Sequence, residues 1–408
     1  MPPARAQGTT LVVIMCLTQA TGLLGMGVLP ALLPGFIAEW SLSGTQAGWL
    51  NGVFFGGYMA SVIVLVSLTD RIDARLVVLG ATALSFLSML AFGLLAEGFW
   101  SALALRALHG VGFAGSYMPG LKVLTDRLEA KDPSRGVAFY TASYAIGGAL
   151  SFYFAGKIDA LWGWPAAFAL LSLGGLVAFL LVWLGTAPKP VVHDHEAPLL
   201  LDFRPVFRNR AAVGYMLAYA THTTELMAAM SWTVAFLTFA ASLQPTAALG
   251  WSVTLIGAVA TIVGLPASVL GNEGARRFGR RRFISVVMVV SAACGACIGF
   301  SATLWFPLVA GICILYSALI AADSASLTAG TVMAAKPEQR GATMAVHSFV
   351  GFGGGFMGPL AFGAMLDLAG GADVVASWGV AFAIVALVTL AGPFFLARFS
   401  GEDEVKGS

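Results

Sequence analysis

Asp70-Arg71-Ile72-Asp73-Ala74-Arg75 stands between two long apolar runs, and Arg276-Arg277-Phe278-Gly279-Arg280-Arg281, 206 positions further on, stands between two more. A second pair of landmarks keeps nearly the same offset. Pro133-Ser134-Arg135-Gly136 opens one apolar stretch and Pro337-Glu338-Gln339-Arg340-Gly341 opens another, with 205 positions from Arg135 to Arg340. Two echoes at one offset mean two similar halves, and such internal repetition is the build of many membrane transporters.

Composition places the chain in a bilayer. Hydrophobic residues make up 58% of it and charged residues 10%, with a mean hydropathy of +0.86. A soluble globular chain carries about 25% charged residues. The net charge of +2 says little, because the positions of the charges carry the information. Cys16, Cys294, Cys297 and Cys313 all fall inside apolar runs, so they read as small packing residues rather than a disulfide framework. Cys294-x-x-Cys297 has no flanking His or carboxylate, which argues against a metal or redox centre.

A helix needs about 20 apolar residues to cross the hydrocarbon core. The sequence predicts twelve such spans, at 10–37, 46–69, 75–96, 100–124, 136–158, 164–186, 210–240, 246–270, 282–303, 306–334, 341–365 and 374–397. The first is much longer than the apolar core of a cleaved signal peptide, and is expected to remain as a span. With the N-terminus inside, 20 of the 22 basic residues fall on the cytoplasmic side; Lys157 lies outside and Arg106 within a span. This positive-inside bias predicts a multi-pass protein of the cell membrane, such as a bacterial inner membrane, with both termini cytoplasmic. The expected division is a six-helix bundle over 1–186, a cytoplasmic linker over 187–209 and a second six-helix bundle over 210–408. The linker is polar and Pro-containing. Its His193-Asp194-His195-Glu196 run reads as solvated linker rather than a metal site.

Two local patterns carry a family resemblance. The first is Val66-x-x-x-Asp70-Arg71-x-Asp73-Ala74-Arg75, echoed by Gly279-Arg280-Arg281 in the second half. The other is Arg106-Ala-Leu-His109-Gly110-Val-Gly112 in the fourth span. Together they resemble the major facilitator superfamily, whose patterns read Gly-x-x-x-Asp-Arg-x-Gly-Arg-Arg between helices 2 and 3 and Arg-x-x-Gln-Gly-x-Gly in helix 4. Here Val66 and Asp73 stand where the family has glycines, Ala74 where it has the middle Arg, and His109 in the Gln position. The resemblance covers essentially the whole chain. It implies an all-α integral membrane fold of twelve helices in two pseudo-symmetric bundles. It also implies a gating motif of Asp70, Arg71 and Arg75, and a central cavity lined by helices 1, 4, 7 and 10. The Gly-x-x-x-Gly-Pro signature of the family's exporters is missing from span 5. Gly353-Gly354-Gly355 and Gly358-Pro359 of span 11 read as close packing and a kink.

The polar residues support the same four helices independently. Spans 3, 6, 9 and 12 hold no charge in their cores. The interior polar groups are Gln19 and Thr21; Arg106 and His109; His222, Thr223 and Glu225; and Tyr316, Asp323 and Ser324, with His347 added by span 11. An ionisable group inside hydrocarbon is costly and marks a functional site by default. Gln19, Arg106, His109, His222 and Tyr316 are therefore the expected substrate cavity, and Glu225 and Asp323 the expected proton-coupling acids. The bland alternative pairs Arg106 with an acid purely to fix the fold.

No phosphate-binding loop of the Gly-x-x-x-x-Gly-Lys-Ser/Thr kind is present, which points to an ion gradient, most simply protons. The expected function is secondary active transport of a small solute, with an organic anion as first substrate class. It is expected to be no enzyme, to use no cofactor or metal, to bind no nucleic acid and to act as a monomer in the bilayer. Two alternatives stand beside it: proton-driven efflux of cationic or amphipathic compounds, and a non-transporting scaffold or receptor of the same fold.

Overall fold

The structure, a computed structural model, describes residues 7–128, 134–189, 203–336 and 339–399. Pro133, Pro337, Glu338 and the His193-to-Glu196 run lie outside the described residues. The described residues form helices and turns, with no strand among them. In chain order the helices are α1 Gly8–Gly22, α2 Val28–Glu39, α3 Gly44–Leu68, α4 Ala74–Leu95, α5 Phe99–Ala114, α6 Tyr117–Arg127 and α7 Ser134–Gly185. Then come α8 Arg204–Arg208, α9 Arg210–Leu243, α10 Val253–Phe278, α11 Arg280–Ile298, α12 Phe306–Ala321, α13 Ser324–Ala334, α14 Arg340–Leu368, α15 Val375–Thr389 and α16 Ala391–Arg398. Among the described residues, nine helical stretches are long and apolar enough to span a bilayer, and α1 and α2 are shorter apolar helices.

The 52-residue α7 is a hairpin. A straight helix of that length would run ~78 Å. Yet Gly136, near its start, and Gly185, at its end, lie against Val12 and Ile14 of the same short helix, and Gly147 and Gly174 lie against Ala20 and Thr21. Both arms thus run alongside α1. The reversal is at Gly163, whose φ of 79° is left-handed backbone that glycine adopts at no steric cost. Pro165 follows it, at the first turn of the returning arm.

Several apolar stretches that read as single spans are broken helices. The 10–37 span is interrupted between α1 and α2, the 100–124 span between α5 and α6, the 306–334 span between α12 and α13 and the 374–397 span between α15 and α16. A break at membrane depth exposes backbone groups that only protein can satisfy. Ser151 of α7 does this for the first break: its Oγ donates to Leu24 O (2.6 Å) and accepts from Gly27 N (2.9 Å).

Two compact units result, one of residues 1–32 with 56–197, the other of 33–55 with 198–408. The first unit centres on Leu11, Met15, Val78, Val123, Tyr140 and Val182. The second centres on aromatic side chains, with Trp232 stacked on Phe362 at 5.1 Å and Phe362 edge-on to Phe382 at 4.8 Å. Lipid tails are as apolar as these side chains, so helices associate through close packing rather than the hydrophobic effect. Accordingly Gly354 and Gly358 bring α14 onto the Ala220 and Thr224 carbonyls of α9, the close-packing role expected for the Gly-rich run. The outer surface is apolar too, with Leu94, Leu161, Leu270 and Leu315 exposed and Trp100, Trp162 and Trp305 exposed near helix ends, as in a membrane aromatic belt.

Candidate functional site

In the first unit the interior polar groups are brought together around α5. Arg106 and His109 sit one turn apart on one helix face, both buried, with Arg106 Nη1 at 3.3 Å from His109 Nδ1. The His109 ring lies where a side chain on Gly25 would be, at the break between α1 and α2. Gln19 on α1 is buried, and its Oε1 accepts a hydrogen bond from Tyr140 of α7 at 2.9 Å. The same Tyr140 hydroxyl lies 2.9 Å from Tyr117 O, the first residue of α6. Thr21 turns inward on its own helix, its hydroxyl donating to Leu17 O.

The second unit holds the acids, in two separate sets. His222 Nδ1 of α9 lies 2.7 Å from Asp323 Oδ1, and both side chains are buried. Asp323 is the N-cap residue of α13, just after the end of α12, so the pair ties a continuous helix to a break in its neighbour. One turn along α9, Glu225 accepts from two hydroxyls: Tyr316 of α12 at 3.0 Å and Ser291 of α11 at 3.1 Å. A buried carboxylate needs such partners, since its desolvation is otherwise uncompensated. Beyond His222 the rings continue: Tyr219 stacks on His222 at 5.8 Å and on His347 at 3.9 Å. The His347 ring nitrogens lie 3.1 Å from Thr331 Oγ1 and 3.4 Å from Thr328 Oγ1.

Three of these polar groups lie outside the four helices expected to carry them, His347 among them as the sequence already indicated. Tyr140 comes from the first arm of α7, Ser291 from α11, a helix without a charge in its core, and His347 from α14. Serine and tyrosine hydroxyls cost an apolar helix little, so hydropathy does not flag them. Ser291 also lies 3.2 Å from the Met288 carbonyl of its own turn, the usual way such a hydroxyl is carried.

At the loop between α3 and α4 the residues of the expected gating motif take different roles. Asp70 is exposed and lies 3.8 Å from Lys122 Nζ. Arg71 is exposed. Arg75 donates from Nη2 to Trp183 O (2.7 Å) and from Nε to Thr186 Oγ1 (3.1 Å). The most engaged residue is Asp73, which the motif reading passed over. It caps α4 by accepting from Arg75 N (3.0 Å), and it accepts from Arg127 Nη2 (2.6 and 2.7 Å) and Lys189 N (2.7 Å). Partial burial alone would raise its carboxyl pKa. The Arg127 side chain and the two backbone amides outweigh that and hold it below the ordinary carboxylate value.

A family model described as the Major Facilitator Superfamily matches residues 15–241 and again 221–408. The chain belongs to the major facilitator superfamily. Among superfamily relatives it is 25% identical over 240 residues to protein spinster homolog 1 of Homo sapiens, covering 56% of this chain and 45% of the relative. It is 26% identical over 224 residues to a probable L-galactonate transporter of Escherichia coli, covering 50% and 49% respectively. The chain thus spans about half the length of these relatives. Among solved superfamily structures, a bacterial homolog to the human lysosomal transporter spinster, inward-facing and unoccupied, matches with a TM-score of 0.73. It is 17% identical, over 95% of this chain and 94% of that one. At that identity the likeness shows the fold alone, an all-α one.

Proposed function

We propose that this chain is a secondary transporter that moves a small organic anion by alternating access, coupled to protons. In this reading twelve spans cross the membrane with the basic loops and both termini cytoplasmic, and the halves meet within 187–209. The observation that carries it is the pair of fully buried ionisable sets, Arg106 with His109 and His222 with Asp323 beside Glu225. Such groups are costly inside hydrocarbon and are kept where they do work. A buried Arg and three histidines suit an anion, since guanidinium and imidazole both donate to carboxylate oxygens. The resemblance to a probable L-galactonate transporter supports the same substrate class.

Gln19, Arg106, His109, His222 and Tyr316 contact substrate, Glu225 and Asp323 take up the coupling proton, and Asp70, Arg71 and Arg75 gate the cytoplasmic side. Glu225 is the first candidate for the proton carrier. Its two partners are hydroxyls, which donate to a carboxylate and can equally accept from a carboxylic acid, so its proton can come and go without breaking the site. The test is Glu225→Gln in proteoliposomes with an imposed pH gradient, using radiolabelled L-galactonate with a panel of other sugar acids as probes. Gradient-driven accumulation is expected to disappear while ligand-induced thermal stabilisation remains. Normal accumulation with unchanged pH dependence would move the coupling role to Asp323 and His222.

A further inference from the structure

Four of the chain's eight tyrosines gather in one place in the first unit: Tyr58 of α3, Tyr117 of α6, and Tyr140 and Tyr144 of the first arm of α7. Phe113 of α5 joins them, and the rings form an unbroken chain. Tyr58 lies 5.3 Å from Phe113, Phe113 6.2 Å from Tyr144, Tyr144 5.6 Å edge-on to Tyr117, and Tyr117 6.1 Å from Tyr140 in a near-parallel stack. Membrane tyrosines are enriched in belts at helix ends, with the phenol at headgroup level. These are placed differently. Tyr58 lies near the middle of α3 and is fully buried, and Tyr117 lies at the break between α5 and α6.

Hydroxyls hold two of the rings in place. Tyr140 donates to Gln19 Oε1 at 2.9 Å and Tyr144 to Met26 Sδ at 3.4 Å. Tyr58, Phe113 and Tyr140 are buried, and packing accounts for them. Tyr117 and Tyr144 are only half-buried, so each keeps ring surface that the fold leaves uncovered. The same group runs into the charged pair of α5. His109 and Phe113 are one turn apart on one helix face, and the His109 ring lies against Gly25, the neighbour of Met26. Arg106 is one turn further along, 3.3 Å from His109. A guanidinium and an imidazole therefore stand at the inner end of a ring platform whose outer rings are open. Gln19 adds a donor. Its Oε1 takes the Tyr140 hydroxyl, while its buried Nε2 has no hydrogen-bond partner among the described residues. A buried donor without a partner is uncommon and calls for an explanation. An oxygen carried by a bound ring supplies one.

We infer that the anionic substrate is a flat ring acid, whose planar ring stacks on Tyr117 and Tyr144 while its carboxylate points to Arg106 and His109. The inference rests on the anion-transport reading above and narrows it to a substrate class. Aromatic faces pair best with other π faces, in offset or edge-to-face geometry. A saturated ring of the same size has no such face. The carboxylate end is served by the same donors already assigned to the anion, since guanidinium and imidazole both donate to carboxylate oxygens. The two recognition elements are thus separable: one reads charge and the other reads planarity.

The test measures binding to the purified full-length protein by titration calorimetry, with three probes of similar size. Benzoate has both the flat ring and the charge. Cyclohexanecarboxylate keeps the charge and loses the flat ring, and benzyl alcohol keeps the ring and loses the charge. Benzoate is expected to bind most tightly, by about two- to ten-fold over cyclohexanecarboxylate, the worth of one aromatic contact. Tyr144→Leu should abolish that preference. Tyr144→Phe, which keeps the ring and drops the bond to Met26, should retain it. Melting temperatures near that of the parent show that both variants are folded, and Tyr117→Leu replaces Tyr144→Leu if the latter does not fold. Equal affinity for benzoate and cyclohexanecarboxylate, both above benzyl alcohol, would overturn the ring site and leave the anion reading standing. Equal affinity for benzoate and benzyl alcohol, both above cyclohexanecarboxylate, would keep the ring site and remove the anion reading. A folded leucine variant that still prefers benzoate, or a parent protein that binds none of the three probes, would overturn the inference.

Discussion

Ser151 joins both sides of a broken helix through one hydroxyl, bonded to Leu24 O and Gly27 N in the gap between α1 and α2. Removing it leaves a buried amide and a half-buried carbonyl without that partner. Ser151→Ala should therefore cost about 1–3 kcal/mol, the desolvation cost of an orphaned buried polar group, read as a lower melting temperature in detergent. Ser172 is the control. It is equally buried, but its hydroxyl bonds only to Ala169 O of its own turn, so Ser172→Ala should be nearly neutral. The contrast explains what single residues reveal in sequence. Arg106, His222, Glu225 and Asp323 stand out because charge in an apolar run is costly and rare. Ser151 and Ser291 do not, because a serine hydroxyl can satisfy itself on its own turn, and Tyr140 does not, because its ring is apolar and only its tip is polar. Which one reaches across to another helix depends on packing that no single-helix pattern contains.

At the scale of helices, the apolar stretches were legible, and so was the turn between α7's arms, left as a gap between spans ending at 158 and starting at 164. The breaks inside four spans were not. Hydropathy measures side chains, whereas a break is a backbone event stabilised by partners far away in sequence. Asp73 is a second case of such a partner. Through Arg127 and the Lys189 amide it gathers the ends of α4, α6 and α7 at one place, and Lys189 Nζ adds a bond to Asp126 O. Because its carboxyl is held below the ordinary value, its contribution is fully present above the unfolded carboxylate pKa of about 4 and is lost as pH falls through the lower folded value. Asp73→Asn should cost about 1–3 kcal/mol at pH 7, as for a charged hydrogen-bonded partner. The melting-temperature gap between parent and variant should close below about pH 4. A gap that stays constant down to pH 3 would mean that Asp73 acts through shape rather than charge.

For the whole molecule, the decisive question is which end of each unit faces the cytoplasm. The contacts settle that each unit gathers its basic loops at a single end. In the first, Asp73, Arg127 and Lys189 meet, while Gly163 turns the chain at the far end of α7. In the second, Asn209 bonds Ala334 O at 2.6 Å and Arg210 bonds Arg398 O at 3.3 Å, which brings the start of α9 to the ends of α13 and α16, while Arg280, at the start of α11, reaches Ser326 O in the first turn of α13 at 3.1 Å. Lys and Arg are retained on the cytoplasmic side during insertion, so both of these ends should face inward. Single cysteines test each unit separately, in a background without native cysteines. Trp162→Cys and Leu249→Cys lie at exposed turns remote from the basic ends and should react with an impermeant maleimide in intact cells. Arg71→Cys and Arg277→Cys, also exposed, should react only after permeabilisation. Reaction of either arginine site in intact cells would invert the unit that carries it. If only one unit inverted, the internal repeat would relate the halves by an axis in the membrane plane instead of along its normal, and alternating access by two like-oriented bundles would have to be given up.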